Sequence, residues 1–282
     1  MNNRKKIAAF LLAAVMGMTV LSGCVSVNKQ ASTDGAVNAQ DTSLEDVKAK
    51  GKFVVGLDAT FAPMGFKDEK GEIQGFDIDL AKEVAKKMGV EVEFKPIDWD
   101  AKELELSSKK IDVIWNGFSI SPARQKEVLF TNPYLSTKQA IVVKKDSAVK
   151  TKADLAGKKI ALQDGSTSEE ALKADAATYE SIGDANISRF KENTQVLMEV
   201  DTGRVQAAVI DEVFVRYYLT KENMLNKYVV LEEGFDEEDY AAGGRLSDKA
   251  LIDAISDAIA QCKQEGITAR ISEKWFGENL IK

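Results

Sequence analysis

Short apolar runs alternate with segments of helical periodicity from about residue 50 to the end of the chain. The runs predict strands at 53–57, 90–94, 111–115, 159–162, 187–190 and 207–210. Helical spacing of apolar residues predicts helices at 77–88, 101–107, 168–177, 194–202, 212–219, 248–264 and 268–275. The first of these is sharply defined, because Ile78, Ala81, Val84 and Met88 share one face and Gly89 follows. This alternation predicts an α/β protein with largely parallel sheets.

The pattern repeats in two halves, which predicts two lobes. Gly51 and Gly157 each precede a strand that runs into a loop and a helix, and the strands near 110–114 and 204–209 close the halves. Ligands of open α/β sheets bind beyond the carboxyl ends of the strands. This rule selects the loops 58–65, 115–124, 163–168 and 210–212, and two facing lobes with such loops would form a cleft.

The N-terminal segment has the pattern of a targeting signal. Basic residues at 4–6 precede an apolar stretch at 7–21, and Cys24 follows two small residues. The stretch is too short to span a bilayer core of about 30 Å comfortably. We interpret 1–23 as a lipoprotein signal peptide and Cys24 as the lipidation site, which predicts a lipid anchor on the extracytoplasmic face of the cell membrane. An ordinary signal peptide followed by a chance cysteine is the alternative.

The segment 24–43 consists almost entirely of small and polar residues and predicts a flexible linker, so the folded part should start near Ser43. The full chain of 282 residues has a net charge of −7, and loss of three cations with 1–23 would change it to −10. An acidic body argues against nucleic acid and against electrostatic binding to anionic lipid.

Cysteine and histidine usage restricts the chemistry further. The chain has no histidine, which removes the commonest general base and transition-metal ligand. Of two cysteines, only Cys262 remains if Cys24 carries lipid, so neither an intramolecular disulfide nor a Cys/His zinc site can form. Cys262 lies on the apolar stripe of the 248–264 helix and is expected to be buried. We expect no metal and no cofactor.

The loop 115–124 carries a candidate anion site. Ser121 can cap a helix, Pro122 suits its first position, and Arg124 then follows inside it. A guanidinium offers a planar fork that matches a carboxylate. The alternative is a capped surface helix whose Arg124 pairs with a local acid such as Glu127.

Two further loops carry polar groups at helix starts. Hydroxyls and amides gather at 164–169, where a helix N-terminus can bind an anion or simply be capped. Asp211 ends an apolar strand and precedes a helix, so it could cap that helix or hold an ammonium group.

From about Leu44 to its end, the chain resembles the extracytoplasmic solute-binding proteins of polar amino acid ABC transporters, a family that includes bacterial type 3 solute-binding lipoproteins. Six motifs in family order carry the resemblance: GLDATFAPM at 56–64, GFDIDLA at 75–81, GFSISPAR at 117–124, FTNPY at 130–134, AVIDE at 208–212 and KWFG at 274–277.

The resemblance implies a two-lobed, type II periplasmic-binding-protein-like fold, in which two crossing strands join two α/β domains. We place these strands near 135–139 and 236–240. Lobe 1 would then comprise 44–136 and 240–282, and lobe 2 would comprise 137–239.

The resemblance also implies roles for individual residues at the ligand's carboxylate. Arg124 looks like the clamp for the α-carboxylate. The Ser119 amide, Ser166 and Thr167 would support it.

At the other groups of the ligand, Asp211 and the Gly117 carbonyl would take the α-ammonium. Phe61 and Trp99 resemble the aromatic walls around the side chain. An anion fork, a carboxylate and apolar walls are what a zwitterion needs in a desolvated cleft.

Specificity rests on the remaining residues. Asp58 falls where relatives place a carboxylate near the ligand side chain, and with Glu103 and Glu105 it is expected to repel aspartate and glutamate. We therefore favour an uncharged polar or basic amino acid. Trp115 and Asn116 replace small residues of many relatives and are expected to reshape the pocket, unless Trp115 is merely packed.

The segment 102–106 also departs from relatives, because a charged run stands where many of them have apolar residues; a solvated helix face is the alternative explanation.

The resulting hypothesis is a receptor that captures a polar amino acid between two closing lobes and delivers it to the permease subunits of an ABC importer, without catalysis. One alternative is an enzyme on the same fold, similar to cyclic amino acid dehydratases, for which Asp58, Glu103 and Glu105 are the nearby carboxylates. A sensory lipoprotein is the other alternative.

Overall fold

The computed structural model describes residues 41–282, so the predicted signal peptide at 1–23, Cys24 and most of the predicted linker at 24–43 lie outside the described residues. The helices, numbered in chain order, are α1 (Ser43–Lys50), α2 (Phe76–Met88), α3 (Lys102–Ser107), α4 (Thr167–Ala174), α5 (Ala176–Ile182), α6 (Asn193–Thr202), α7 (Glu212–Lys221), α8 (Lys249–Gln264) and α9 (Ile267–Phe276). Short 3-10 turns occupy Trp99–Ala101, Arg124–Lys126, Lys152–Leu155 and Asp184–Asn186.

The strands, numbered in the same way, are β1 (Lys52–Leu57), β2 (Thr60–Phe61), β3 (Gly65–Lys67), β4 (Ile73–Gln74), β5 (Glu91–Pro96), β6 (Val113–Ile114), β7 (Val128–Phe130), β8 (Leu135–Lys144), β9 (Ile160–Gln163), β10 (Ile187–Phe190), β11 (Ala207–Asp211), β12 (Tyr228–Tyr240) and β13 (Gly243–Arg245). Within 41–282 they form two five-stranded sheets and one small three-stranded sheet.

The two large sheets share one plan. The first has the order β5-β1-β6-β13-β7 and the second has the order β10-β9-β11-β8-β12. In each sheet the fourth strand, β13 or β8, pairs antiparallel with both of its neighbours, so the other four strands run in one direction. We call the half built on the first sheet lobe 1 and the half built on the second sheet lobe 2. The two-lobed α/β fold that the sequence indicated is therefore present.

Two chain segments connect the lobes. The chain passes from β7 in lobe 1 into β8 in lobe 2, and it returns from β12 to β13. The two segments pair with each other where they cross, with Tyr240 opposite Leu135, and Ser119 of lobe 1 forms a bridge with Tyr240. The finer lobe boundaries, at 136/137 and 239/240, stay a prediction.

Helix starts and stops follow local sequence signals. Helix α2 buries Phe76, Ile78, Leu80 and Val84, and it ends at Gly89, whose φ of +71° is a left-handed conformation that glycine adopts without strain. In α8, the stripe that contains Leu251, Ile255, Ile259 and Cys262 is buried. The burial of Cys262 is confirmed, and the thiol is free.

The first described residues are joined to the C-terminal part of lobe 1. Asp41 and Ser43 accept hydrogen bonds from the Ala250 and Leu251 amides, so the chain start is joined to the first turn of α8. These amides are among the donors that a helix leaves unpaired at its N-terminus. The predicted start of the folded part near Ser43 stays a prediction.

Several predicted elements were wrong in detail. The sheets are largely parallel as predicted, but each contains one strand that runs against the other four, β13 in the first sheet and β8 in the second. The strand at 111–115 is only Val113–Ile114. The predicted helix at 168–177 is divided at Asp175, whose side chain accepts from the Thr178 amide and starts a new helix.

The prediction near Ser121 was wrong in a similar way. Pro122 does not begin an α-helix, because the segment forms only the short turn Arg124–Lys126. The Ser121 hydroxyl still accepts from the Arg124 amide, at 3.2 Å.

Candidate functional site

A pocket lies between the two lobes. All ten residues that sequence analysis proposed for ligand binding line it: Asp58, Phe61, Trp99, Asn116, Gly117, Ser119, Arg124, Ser166, Thr167 and Asp211. Four lining residues were not proposed: Gln139, Gln163, Ser168 and Asn193. The fold brings these residues together because they follow the carboxyl ends of parallel strands in both lobes or lie in the crossing strand β8.

Arg124 is buried with its donors directed at backbone. Its Nη1 donates to the Ser119 carbonyl at 2.9 Å, and its Nη2 donates to the Gly165 carbonyl of lobe 2 at 3.0 Å. The guanidinium lies over the ring of Phe118, with its central carbon 4.6 Å from the ring centroid. The only acid within ion-pair range in the described residues is Glu170, at 3.9 Å, so the predicted alternative pair with Glu127 does not form.

The start of α4 faces Arg124 from lobe 2. Ser166 caps this helix by accepting from the Ser168 amide at 3.3 Å, and its hydroxyl donates to the Gln163 carbonyl. Thr167 donates to Glu238 at 2.6 Å and approaches the Ser119 hydroxyl at 3.4 Å. The arrangement puts a helix N-terminus and a guanidinium on facing walls of one pocket, which suits an anion.

Asp211 is one of two acidic groups that line the pocket. It caps α7 by accepting from the Phe214 amide, and its other oxygen accepts from Thr137 at 3.1 Å and from the Tyr240 hydroxyl. Burial raises the pKa of Asp211 to about 7, although the bonds from Tyr240 and Phe214 lower it. Within residues 41–282 its partners are these three neutral donors, and no Lys or Arg side chain pairs with it.

Gly117 is held by a second buried acid. Its amide donates to Asp77 at 2.6 Å, and its φ of +53° is left-handed. A side chain at this position would clash, because a Cβ would lie 2.7 Å from Phe61. Burial also raises the pKa of Asp77 to about 7. The chain turns sharply here, so that glycine is required.

Aromatic rings form two of the pocket walls. Phe61 of lobe 1 stacks on Phe214 of lobe 2, with ring centroids 5.4 Å apart and an interplanar angle of 16°. Trp99 packs edge-on against Phe118 at 5.8 Å. Flat apolar surfaces of this kind can bury the aliphatic or aromatic part of a ligand.

Asp58 belongs to a hydrogen-bond chain that joins the lobes. Its carboxylate accepts from Thr60 and, at 2.7 Å, from the side-chain amide of Gln163 in lobe 2. The side-chain oxygen of Gln163 accepts in turn from Asn193. The Asp58 amide donates to Asn116 at 3.0 Å. Burial raises the pKa of Asp58, and the bonds from Thr60 and Gln163 oppose this effect.

Four residues that line the pocket were not predicted, and the sequence indicates some of them more clearly than others. Gln163 and Ser168 lie within the selected loop 163–168, but neither was proposed. Asn193 begins α6 just after the parallel strand β10, so the strand-end rule could have found it. Gln139 lies inside β8, and no local signal marks a polar residue in a strand that crosses between lobes.

Trp115 and the charged segment 102–106, which both depart from the family pattern, do not line the pocket. Trp115 is fully buried and packs against Tyr134, so it does not line the pocket. Glu103 pairs with Lys102, and Glu105 pairs with lysines of its own lobe, so the expectation that these two acids lie at the ligand site was wrong.

Two negative observations apply to residues 41–282. This part of the chain holds no cluster of three or more His, Cys, Asp or Glu side chains that could bind a metal ion. None of its helices combines the length and the apolar composition required to cross a membrane.

The fold and pocket define the class of protein: two α/β lobes, joined by two crossing segments, that enclose a site with one guanidinium and two carboxyl groups. Residues 53–278 match the bacterial extracellular solute-binding proteins, family 3, and the chain belongs to this family. It is 31% identical to the L-cystine-binding protein TcyJ of Escherichia coli (strain K12) over 271 residues, which cover 95% of this chain and 99% of that protein.

Solved structures agree. An ABC uptake transporter substrate-binding protein of Streptococcus pneumoniae, with bound histidine, superimposes with a TM-score of 0.83 and 35% identity, covering 86% of this chain and 99% of that one. The ancestral amino acid-binding protein AncCDT-1, described as a precursor of cyclohexadienyl dehydratase, has a TM-score of 0.74 and 36% identity, covering 83% of this chain and 99% of that one.

Proposed function

We propose that this protein is the receptor of an amino acid ABC importer, which captures a polar amino acid between its lobes and delivers it to membrane permease subunits. One observation carries the proposal: Arg124 and Asp211 line the same buried pocket together with aromatic walls. The relatives named for cystine and histidine support a zwitterionic ligand.

In this proposal each end of the ligand backbone meets a group of opposite charge. The α-carboxylate lies against Arg124 and the N-terminus of α4, where Ser166 and Thr167 supply hydroxyls. The α-ammonium lies against Asp211 and the Gly117 carbonyl and provides the cation that Asp211 lacks. Closure of the lobes removes water from both pairs, which strengthens them.

We further propose that the ligand is an uncharged polar or basic amino acid. Asp58 is buried at the pocket, and Gln163 and Asn193 continue its polar surface. A carboxylate on the ligand side chain would be repelled by Asp58, whereas an amide, a hydroxyl or a cation would be tolerated. Cystine belongs among the candidates because of the relationship to a cystine-binding protein.

The proposed location is the extracytoplasmic face of the membrane, with a lipid on Cys24. Cys24→Ala is expected to release the protein from membranes, because the anchor would be lost. Membrane fractionation of cells expressing each form tests this, and full retention of the mutant in the membrane fraction would rule out the anchor.

Catalysis is the competing proposal, because one similar structure is a precursor of a dehydratase. A dehydratase needs a pocket acid that acts on the substrate. Glu103 and Glu105 do not line the pocket, so of the three carboxylates named for that chemistry only Asp58 lies there, and it accepts hydrogen bonds from Thr60 and Gln163. These observations favour binding without chemical change.

A thermal-shift screen of the twenty common amino acids and cystine tests the proposed function. Micromolar binding corresponds to about −8 kcal/mol and is expected to raise the melting temperature by several degrees at saturation. Calorimetry then measures affinity for each hit, and NMR of the incubated ligand detects turnover. Absence of any hit would refute the amino acid receptor, turnover would favour the enzyme, and a response to glutamate or aspartate alone would refute the role of Asp58.

A further inference from the structure

Lys102 is a buried cation that the proposed binding site does not use. It lies at the start of α3, is 3% exposed, and does not line the pocket. Its Nζ donates to the Trp99 carbonyl at 3.2 Å and, across the lobes, to the Gly165 carbonyl at 2.8 Å. A cation in such a place is costly unless an anion compensates it.

Lys102 shares its acceptor with Arg124. Nζ of Lys102 and Nη2 of Arg124 both lie within 3.0 Å of the Gly165 carbonyl oxygen. Two positive charges therefore converge on one neutral acceptor. The approach is close, because a Cβ on Gly165 would lie 2.8 Å from the Asp100 Cα.

Three acids act on this pair, and each of them is partly exposed: Glu103, Glu170 and Glu238. Glu103 lies 3.2 Å from Lys102, but its side chain is 28% exposed, and Glu170 lies 3.9 Å from Arg124 with a side chain 37% exposed. Solvent screens both acids. Consistent with an excess of buried positive charge, burial and the nearby Arg124 lower the pKa of Lys102 to about 8.

We propose that Lys102 is a specificity-determining residue that makes the closed site selective for a ligand carrying a negative α-carboxylate. A carboxylate against Arg124 compensates both cations, whereas a neutral group leaves them to repel each other. Lys102 acts through space and does not contact the ligand. This inference rests on the proposed amino acid receptor.

The test compares acids with their neutral amides. The probes are L-arginine and L-argininamide, L-histidine and L-histidinamide, and L-cystine and its diamide. Calorimetry gives the ratio of the amide Kd to the acid Kd for the wild type, Lys102→Met and Glu103→Gln. Lys95→Met is the matched control, because Lys95 forms a more exposed ion pair with Glu105 within lobe 1.

The expected change is about tenfold. This is well below the roughly thousandfold effect of a unit charge about 4 Å away at an effective dielectric constant of about 20, because solvent and the nearby acids screen Lys102. Lys102→Met lowers the ratio about tenfold, and Lys95→Met leaves it unchanged. Glu103→Gln raises the ratio, because Lys102 loses its partner. Effects on folding or on Trp99 cancel in the ratio, since both probes of a pair have the same side chain.

Two results separate the possible failures. If no acid binds the wild type, the proposed function fails. If acids bind but the ratio for Lys102→Met equals that of the wild type, the inference about Lys102 is overturned. If Lys102→Met does not fold, Glu103→Gln tests the inference instead. A ratio of amide Kd to acid Kd in Glu103→Gln equal to that of the wild type also overturns the inference about Lys102.

Discussion

Affinity for an amino acid is expected to depend on pH through Asp211. Burial raises the pKa of this carboxyl group from 3.8 to about 7. A ligand ammonium requires the ionised form, so below pH 7 binding must first remove a proton from Asp211. The Kd is therefore expected to fall about tenfold for each pH unit between 5 and 7 and to level off above 7, since one pKa unit corresponds to about 1.4 kcal/mol.

Asp211 also makes the stability of the folded protein depend on pH, and here a rise in pH is unfavourable. Its pKa in the folded protein lies above the unfolded value, so its contribution to stability is fully present below about pH 4 and is lost as pH rises through 7. Asp77 adds to this trend, because burial raises its pKa to about 7 as well. Asp77 does not line the pocket, so we expect it to affect stability without changing the slope of Kd.

Calorimetry from pH 5 to 8, in two buffers with different ionisation enthalpies, measures the Kd and the number of protons released. Close to one proton per ligand is expected at pH 6. Asp211→Asn is the control: it should bind weakly at pH 7.5, with a Kd that is nearly independent of pH. A wild-type Kd that varies less than twofold over this range, or a slope that persists in Asp211→Asn, would refute the reasoning.

Three further substitutions test separate parts of the structure. Arg124→Ala should lose most ligand affinity by calorimetry, because an unpaired buried carboxylate costs about 3–5 kcal/mol. An unchanged Kd would refute the binding of the ligand carboxylate by Arg124. Gly165→Ala should weaken binding, because its Cβ would lie 2.8 Å from the Asp100 backbone and keep the lobes apart. Gly183→Ala is the control for Gly165→Ala, because Gly183 has a similar φ of +78° but an added Cβ would meet no atom closer than 3.9 Å. Equal losses of affinity in the two variants would exclude the interlobe clash as the cause. Ile255→Ala should cost about 2–5 kcal/mol in urea unfolding, because Ile255 is fully buried, and a loss under 1 kcal/mol would contradict its core position.

Local sequence signals were sufficient for most elements of the fold. The apolar stripes of α2 and α8 require only helical periodicity, and Gly89 stops α2 because a left-handed residue is easily adopted by glycine alone. Short apolar runs likewise indicated where the predicted strands end. The loops that follow them contain most of the candidate site, because parallel strands bring their carboxyl ends to one edge.

The tertiary structure decided which of these groups meet. Gln139 lies in the crossing strand β8, and Gln163 reaches Asp58 across 105 positions of the chain. The contact between Lys102 and Gly165 likewise exists only when the lobes face each other. Periodicity reports how a segment buries one face, so the sequence alone determined the elements and the loops that carry polar groups. It does not report the partner or the solvation of a charge, and these depend on how two distant surfaces come together.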